Sequence, residues 1–139
     1  MKKRITPNHI NTLQDREVFV FGSNMSGIHG AGGAMTALKF GAKMGQAVGI
    51  QGNSYGIPTK DFKTIRSLHP NVIGAYVTKF IEYAKLYPRL NFLVTEIGCG
   101  LAGYTPEQIA PLFKSAVDVE NIHLPKRFWD VLLGKQEIF

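Results

Sequence analysis

A chain of 139 residues, of which 45% are hydrophobic, is long enough for one domain with its own core. The formal net charge of +6 favours an anionic partner, but it does not distinguish a nucleotide from a nucleic acid or a membrane surface. The single cysteine, Cys99, excludes an internal disulfide, and no apolar run is long enough for a signal peptide or a membrane span.

We therefore expect a single cytoplasmic domain over residues 1–139 with no membrane partner. Residues 1–15 are polar and without a clear period, so they predict an N-terminal arm or loop. Lys2, Lys3 and Arg4 carry three of the positive charges. They belong either to a solvated tail or to a basic patch with a function.

The first predicted strand is followed by a glycine-rich loop and a helix. Residues 17–21 are apolar and rich in strand formers, which favours a buried strand ending at Gly22. A turn at residues 22–24 and a flexible glycine loop at residues 27–33 follow. Residues 34–40 favour a helix, with Gly41 as its C-terminal stop.

The middle of the chain predicts two short strands and a long helix. Residues 47–50 and 54–57 read as strands joined by a hairpin or bend, and Pro58 is expected to end the second. A polar loop is predicted from residue 59 to residue 70, and Asn71 suits the N-cap of the helix that follows. Its apolar positions recur with helical spacing: Val72, Ile73, Tyr76, Val77, Phe80, Ile81 and Ala84.

The last third of the chain predicts a strand at residues 91–96, then a glycine turn and a capped helix. Thr105 is a suitable N-cap, Pro106 fits the first helical position, and Gln108 completes a capping-box pattern. The buried face of this helix would be Ile109, Ala110, Leu112, Phe113 and Ala116. Residues 121–124 predict a short strand, and a C-terminal packing helix would bury Phe128, Trp129, Val131, Leu132 and Leu133.

Strands that alternate with helices predict an α/β fold with a largely parallel central sheet. Ligands of such folds lie beyond the carboxyl ends of the strands, and both glycine loops leave strands at that end. We therefore expect one anion site between the loops, suited to a nucleotide diphosphate. The alternative for each loop is a tight turn, because Met35 stands where a GxGxxG pattern has its third glycine and no P-loop sequence follows.

Two segments resemble the ligand loops of macrodomains, the ADP-ribose-binding family. Residues 19–24 with residues 30–34 resemble the first loop, and residues 93–104 resemble the phosphate-cradling second loop. The Gly-Cys-Gly-Leu sequence at residues 98–101 most resembles the branch of the family that includes the lysine-dependent terminal ADP-ribose–protein glycohydrolases. That branch also has a Thr-Lys pair after a strand, like the one at residues 59–60. The resemblance covers roughly residues 17–116. It implies a three-layer α/β/α sandwich with a mixed, largely parallel sheet.

The loops and the resemblance together indicate a site for ADP-ribose or a related nucleotide, free or attached to an ADP-ribosylated macromolecule. We expect no cofactor and no metal, because the histidines lack metal-ligand spacing. The expected ligand-binding residues are Gly22, Ser23, Asn24, His29, Gly30, Ala31, Gly32, Gly33, Lys60, Gly98, Cys99, Gly100, Leu101, Ala102, Gly103 and Tyr104.

Catalysis is left open by the sequence. The resemblance implies that Lys60 would attack the ribose C1″, but Ala102 occupies the acidic position of that branch and cannot transfer a proton. Asp61 or Glu96 are the candidate substitutes. Asn24 matches the asparagine that other macrodomain hydrolases use.

The alternatives are a solvated Lys60 and a turn-forming Asn24. Cys99 is interpreted as a small loop residue rather than a nucleophile. Three functions follow: an ADP-ribose-binding module, an ADP-ribosyl hydrolase using Lys60, and a basic nucleic-acid-binding protein.

Overall fold

The computed structural model describes residues 4–61, 63–64 and 66–134. In these ranges the strands are β1 (Glu17–Asn24), β2 (Gly49–Gln51), β3 (Ser54–Asp61), β4 (Arg66–Ser67), β5 (Asn91–Val94) and β6 (Ile122–His123). The α-helices are α1 (Gly32–Ala37), α2 (Pro70–Leu86), α3 (Pro106–Ile109) and α4 (Lys126–Leu133). Two 3₁₀ segments, Leu38–Phe40 and Ala110–Ala116, continue α1 and α3.

The strands form one mixed, mostly parallel sheet in the order β2-β3-β1-β5-β6, with β4 also paired to β3. β1 is parallel to β3 and β5, and β5 is parallel to β6. β2 and β4 are antiparallel to β3. The predicted α/β class with a largely parallel sheet is confirmed, and the carboxyl ends of β1, β3 and β5 share one edge.

Side chains of β1 alternate between two hydrophobic clusters, as the two-residue period of a strand requires. Val18 and Val20 belong to the larger cluster, which also holds the buried side chains of α2 and α4. Phe19 and Phe21 pack with Ala34 and Ala37 of α1 in the smaller cluster. Helices therefore cover both faces of the central strand.

The first strand is longer than predicted. The expected turn at residues 22–24 is wrong, because these residues continue β1 and pair with β3 as far as Asn24 and Lys60. Pro58 does not end β3, so residues 59–61 belong to the strand and not to a polar loop. Pro58 lies between the stretches that pair with β2 and β4, so its missing N–H removes no bond from either antiparallel ladder.

The long helix α2 begins one residue before the predicted cap. His69, not Asn71, is the N-cap: its Nδ1 accepts a hydrogen bond from the Asn71 N–H at 3.0 Å, and Pro70 takes the first helical position. The predicted apolar face is largely confirmed, with Ile73, Val77, Phe80, Ile81 and Ala84 buried and Tyr76 partly buried. Val72 is exposed.

The C-terminal elements follow the prediction with shorter bounds. β5 ends at Val94, and β6 is limited to Ile122–His123. The helix that starts at Pro106 changes to 3₁₀ geometry at Ala110, next to Pro111, which has no N–H to donate to an α-helical bond. Its expected buried residues are buried apart from the partly buried Leu112, and α4 buries Phe128 and Trp129 with its other apolar residues partly covered.

The N-terminal arm is anchored at residues 4–6, so of the two alternatives a solvated tail is wrong for Arg4. Ile5 forms a parallel bridge with Leu124, and the Arg4 guanidinium donates to the carbonyl oxygens of Val117, Val119 and Ile122. The guanidinium carbon also lies 5.2 Å from the Trp129 ring centroid. Arg4 thus joins the start of the described chain to the segment around β6. Lys2 and Lys3 lie outside the described residues.

Replacing Arg4 with Gln is expected to lower the free energy of unfolding by about 1–3 kcal/mol, because three carbonyl oxygens lose a charged donor. Urea unfolding measures the change. Arg89→Gln, at an exposed cation after α2, is the matched control and should change stability by less than about 0.5 kcal/mol. Equal effects of the two substitutions would contradict the anchoring role of Arg4.

Candidate functional site

A cleft of about 960 Å³ opens where β1, β3 and β5 end, and both glycine loops form its walls. This volume is typical of a small-molecule site. Twelve of the predicted ligand-binding residues line it: Gly22, Ser23, Asn24, Gly30, Ala31, Gly32, Gly33, Lys60, Gly98, Gly100, Leu101 and Ala102. Seven residues outside the predicted ligand-binding set also line it: Ile28, Ala34, Thr59, Lys63, Thr95, Glu96 and Ile97.

Three of these further residues lie at strand ends, and one of them, Glu96, was already predicted as a candidate acid. Thr59 lies within β3, and Thr95 and Glu96 follow the last residue of β5, so each stands at the strand edge where α/β sites form. Thr95 also donates from its hydroxyl to the Val20 carbonyl at 2.8 Å, which ties the end of β5 to β1. Their positions at strand ends are the signal in the sequence that predicts a place in the site.

Four predicted residues do not line the cleft: His29, Cys99, Gly103 and Tyr104. His29 is 1% exposed, and its Nε2 lies 2.8 Å from the Lys43 carbonyl oxygen. The Tyr104 hydroxyl donates to the Leu68 carbonyl at 2.7 Å, and the Gly103 N–H closes a turn onto Gly100. The polar groups of these three residues are used in hydrogen bonds within the protein.

The first loop is shaped by Asn24. Its Oδ1 accepts from the N–H groups of Ser26 and Ile28 at 3.2 and 3.0 Å, and its Nδ2 donates to the Ile28 carbonyl at 2.8 Å. The Met25 N–H also donates to the Lys60 carbonyl at 2.9 Å. The amide of Asn24 is thus engaged in building the loop, which favours the turn-forming interpretation over a catalytic one.

Some backbone amides of the second loop donate within the loop, and others have no partner. Its internal hydrogen bonds run from Tyr104 N–H to the Gly98 carbonyl at 2.9 Å and from Cys99 N–H to the Glu96 carbonyl at 3.1 Å. The cleft-lining amides of Gly98, Gly100, Leu101 and Ala102 have no acceptor among the described residues. The same holds for Gly30 and Ala31 in the first loop. Residues that line one cleft and have unpartnered amides suit an oxyanion.

The charged residues that line the cleft are Lys60, Lys63 and Glu96. Lys60 forms no ion pair with any residue in the described ranges. Glu96 accepts a bidentate pair of hydrogen bonds from Arg127 of α4, with Nε–Oε2 at 2.7 Å and Nη2–Oε1 at 2.6 Å. These bonds hold the pKa of Glu96 below its ordinary value, so the carboxylate is ionised at neutral pH.

Asp61 and Glu96, the two candidate substitutes for the acid that is absent at Ala102, differ in where they lie and in whether they can donate a proton. Asp61 does not line the cleft, and its carboxylate accepts from the Lys63 N–H at 3.1 Å. Glu96 lines the cleft but carries no proton to donate at neutral pH.

The thiol of Cys99 is a poor nucleophile in this setting. Burial, reinforced by the nearby Glu96, raises its pKa to about 11. The thiol therefore stays protonated near pH 7, which favours the interpretation of Cys99 as a small loop residue.

The described residues contain neither a group of metal ligands nor a membrane-spanning helix. No group of three or more His, Cys, Asp or Glu side chains there is placed to hold a metal ion. None of the helices described is long and apolar enough to cross a bilayer.

Comparison with known proteins identifies no relative. The chain matches no protein-family model, no curated protein and no solved structure. Membership of the macrodomain family therefore stays a prediction.

Gly98 is expected to be indispensable to the second loop, whereas Gly100 is replaceable. Gly98 has φ +75°, and a Cβ there would lie 3.1 Å from Ile109 Cδ1 of α3. A Cβ at Gly100 meets nothing within 4 Å. Gly98→Ala should lower the free energy of unfolding by about 1–3 kcal/mol, and Gly100→Ala by less than about 0.5 kcal/mol, in chemical denaturation. Two equally stable variants would show that the loop does not need this backbone conformation.

Proposed function

We propose that the cleft binds ADP-ribose or a related nucleotide diphosphate. The observation that carries this proposal is the convergence of two glycine loops, with unpartnered amides in both, on one cleft at the carboxyl edge of three parallel strands. Backbone amides bind phosphate oxygens without a dedicated side chain. Lys60 and Lys63 add positive charge to the same cleft.

The shape and lining of the cleft also suit a ligand with a flat or apolar part. Ile28 and Leu101 bring large apolar side chains into the lining. Leu101 is 70% exposed and extends toward the first loop, since its Cδ1 lies 3.9 Å from where a Gly32 Cβ would stand. A base or ribose packed against these side chains would cover apolar surface that is open to water.

We propose further that the chain adopts the three-layer α/β/α architecture of macrodomains. The two hydrophobic clusters support this arrangement, because α1 packs on one side of β1 while α2 and α4 belong to the cluster on the other side. The parallel pairing of β1 with β3 and β5 is also consistent with it. The macrodomain resemblance of the loops is the remaining support.

A second candidate function is hydrolysis of an ADP-ribosyl bond by Lys60. Its position in the cleft, without an ion-pair partner among the described residues, favours this candidate. Attack by Nζ on the ribose C1″, with loss of one Nζ proton to solvent, would form a C–N bond while the bond to the carrier oxygen breaks and the carrier leaves as a carboxylate. Water would then cleave the C–N bond, release ADP-ribose and regenerate the lysine. The absence of an acid at Ala102 makes binding the first choice. A nucleic-acid-binding role remains the third alternative and rests on the net charge of +6 alone.

Isothermal titration with ADP-ribose tests the binding proposal. The wild-type chain should bind, and Gly100→Glu should bind at least tenfold more weakly than Gly100→Gln. Both side chains enter the same open space, but only glutamate repels a diphosphate.

No heat with folded wild-type protein at millimolar ADP-ribose would overturn the proposal. Affinity for an oligonucleotide that falls steeply with salt, in a chain that does not bind ADP-ribose, would instead support the nucleic-acid alternative.

Lys60→Ala tests the hydrolase. If Lys60 is the nucleophile, this variant should lose turnover of a glutamate-linked ADP-ribosyl peptide by at least about 10³-fold and form no lysine adduct detectable by mass spectrometry. Lys79→Ala, at an exposed cation on α2, is the control and should keep full turnover. Normal turnover by Lys60→Ala would exclude the lysine mechanism.

A further inference from the structure

Glu96 is the only acidic residue among the described residues that line the cleft. It stands two residues beyond the end of β5, with its carboxylate held by the Arg127 guanidinium of α4. Arg127 does not line this cleft. It lines a second cavity of about 310 Å³ together with Pro106, Glu107, Asp130 and Val131. Glu96 therefore stands between the guanidinium and the main cleft.

The Glu96 carboxylate has hydrogen-bonding capacity left over. Each oxygen accepts one bond from Arg127, while an ionised carboxylate offers about four lone-pair sites. The side chain is 35% exposed, so a ligand can reach it. A carboxylate has no donor, and its charge repels phosphate. The ligand group that meets it must therefore present O–H or N–H donors.

The charges of the cleft are separated along the sheet. Lys60 ends the pairing of β3 with β1, and Glu96 follows β5 on the opposite side of β1. Two strand spacings separate these flanks, which is about 10 Å. An anionic group is favoured at the Lys60 side and at the glycine loops, and a neutral donor group is favoured at the Glu96 side.

We propose that Glu96 accepts hydrogen bonds from a ribose hydroxyl pair of the ligand, and that Arg127 is the positioning residue that holds it there. This inference rests on the proposed nucleotide-diphosphate site and specifies how that site selects its ligand. The cleft would distinguish a ribose-bearing diphosphate from a bare one. ADP-ribose carries a hydroxyl pair in its terminal ribose and another in its adenosine ribose, so these are the two possible sources of the pair.

A purely structural role is the competing explanation. The fork between Arg127 and Glu96 would then only fasten α4 to the end of β5. In that case, removing Glu96 would disturb the second loop and weaken every ligand that the loop binds. The two roles therefore differ in how the effect depends on the ligand.

Titration of the full chain with ADP-ribose, ADP and inorganic pyrophosphate separates these roles. Glu96→Gln should weaken ADP-ribose binding about tenfold or more, since a hydrogen bond to a charged acceptor is lost. The same variant should bind pyrophosphate at least as tightly as the wild type. Loss of affinity for ADP-ribose but not for ADP would assign the terminal ribose. Loss for both would assign the adenosine ribose if 2′,3′-dideoxy-ADP, which lacks that hydroxyl pair, binds the variant and the wild type equally, and a loss for dideoxy-ADP as well would contradict the ribose contact.

Arg127 variants test the positioning role. Arg127→Gln should weaken ADP-ribose binding several-fold, Arg127→Lys should recover part of the loss, and a double-mutant cycle with Glu96→Gln should be non-additive. Glu82→Gln removes the exposed Glu82–Lys85 pair on α2 and should leave all affinities unchanged.

Two results would overturn the inference while leaving the binding proposal intact: no loss of ADP-ribose affinity in Glu96→Gln, or an equal loss for pyrophosphate. A wild-type chain that binds none of the three ligands would overturn the nucleotide-diphosphate site itself, and the role of Glu96 with it.

Discussion

Parallel pairing of β1 with both β3 and β5 is the constraint on which the site depends. The two registers place Asn24 beside Lys60 and Val20 beside Val94, so all three strands deliver the chain to one edge. The residues that line the cleft lie at the carboxyl ends of these strands or in the segments that follow them. The buried alternation of β1, with valines on one face and phenylalanines on the other, fixes that pairing because a one-residue slip would reverse both faces.

The two loops at this edge reach the same result by different means. In the first loop, the Asn24 side chain supplies hydrogen-bond partners to the backbone of Ser26 and Ile28. In the second, a positive φ at Gly98 and a bond from Tyr104 back to Gly98 close the turn. Each arrangement satisfies part of the loop internally and leaves the amides at its tip without acceptors. That division is what makes the cleft suitable for an anion.

The sequence predicted the elements that depend on neighbouring residues alone, through strand or helix propensity and capping. The strand at residues 17–21, the capped start at Pro106 and the glycine stop at Gly41 follow from propensity and capping. The convergence of most predicted ligand residues was anticipated from the rule that loops at strand carboxyl ends meet. Pro58 was misread because its effect depends on which neighbouring strand needs its N–H, and sequence does not show that. The Arg4 contacts and the Arg127–Glu96 fork join residues far apart in sequence, so no local signal announced them.

The central claim is that the tips of the two loops hold a diphosphate, and a crystal structure of the chain soaked with ADP-ribose tests it most directly. The account predicts phosphate oxygens within about 3.2 Å of the amide nitrogens at residues 30–31 and 98–102. It also predicts a ribose beside Glu96. A ligand bound elsewhere on the surface, or an unaltered cleft at millimolar ADP-ribose, would contradict it.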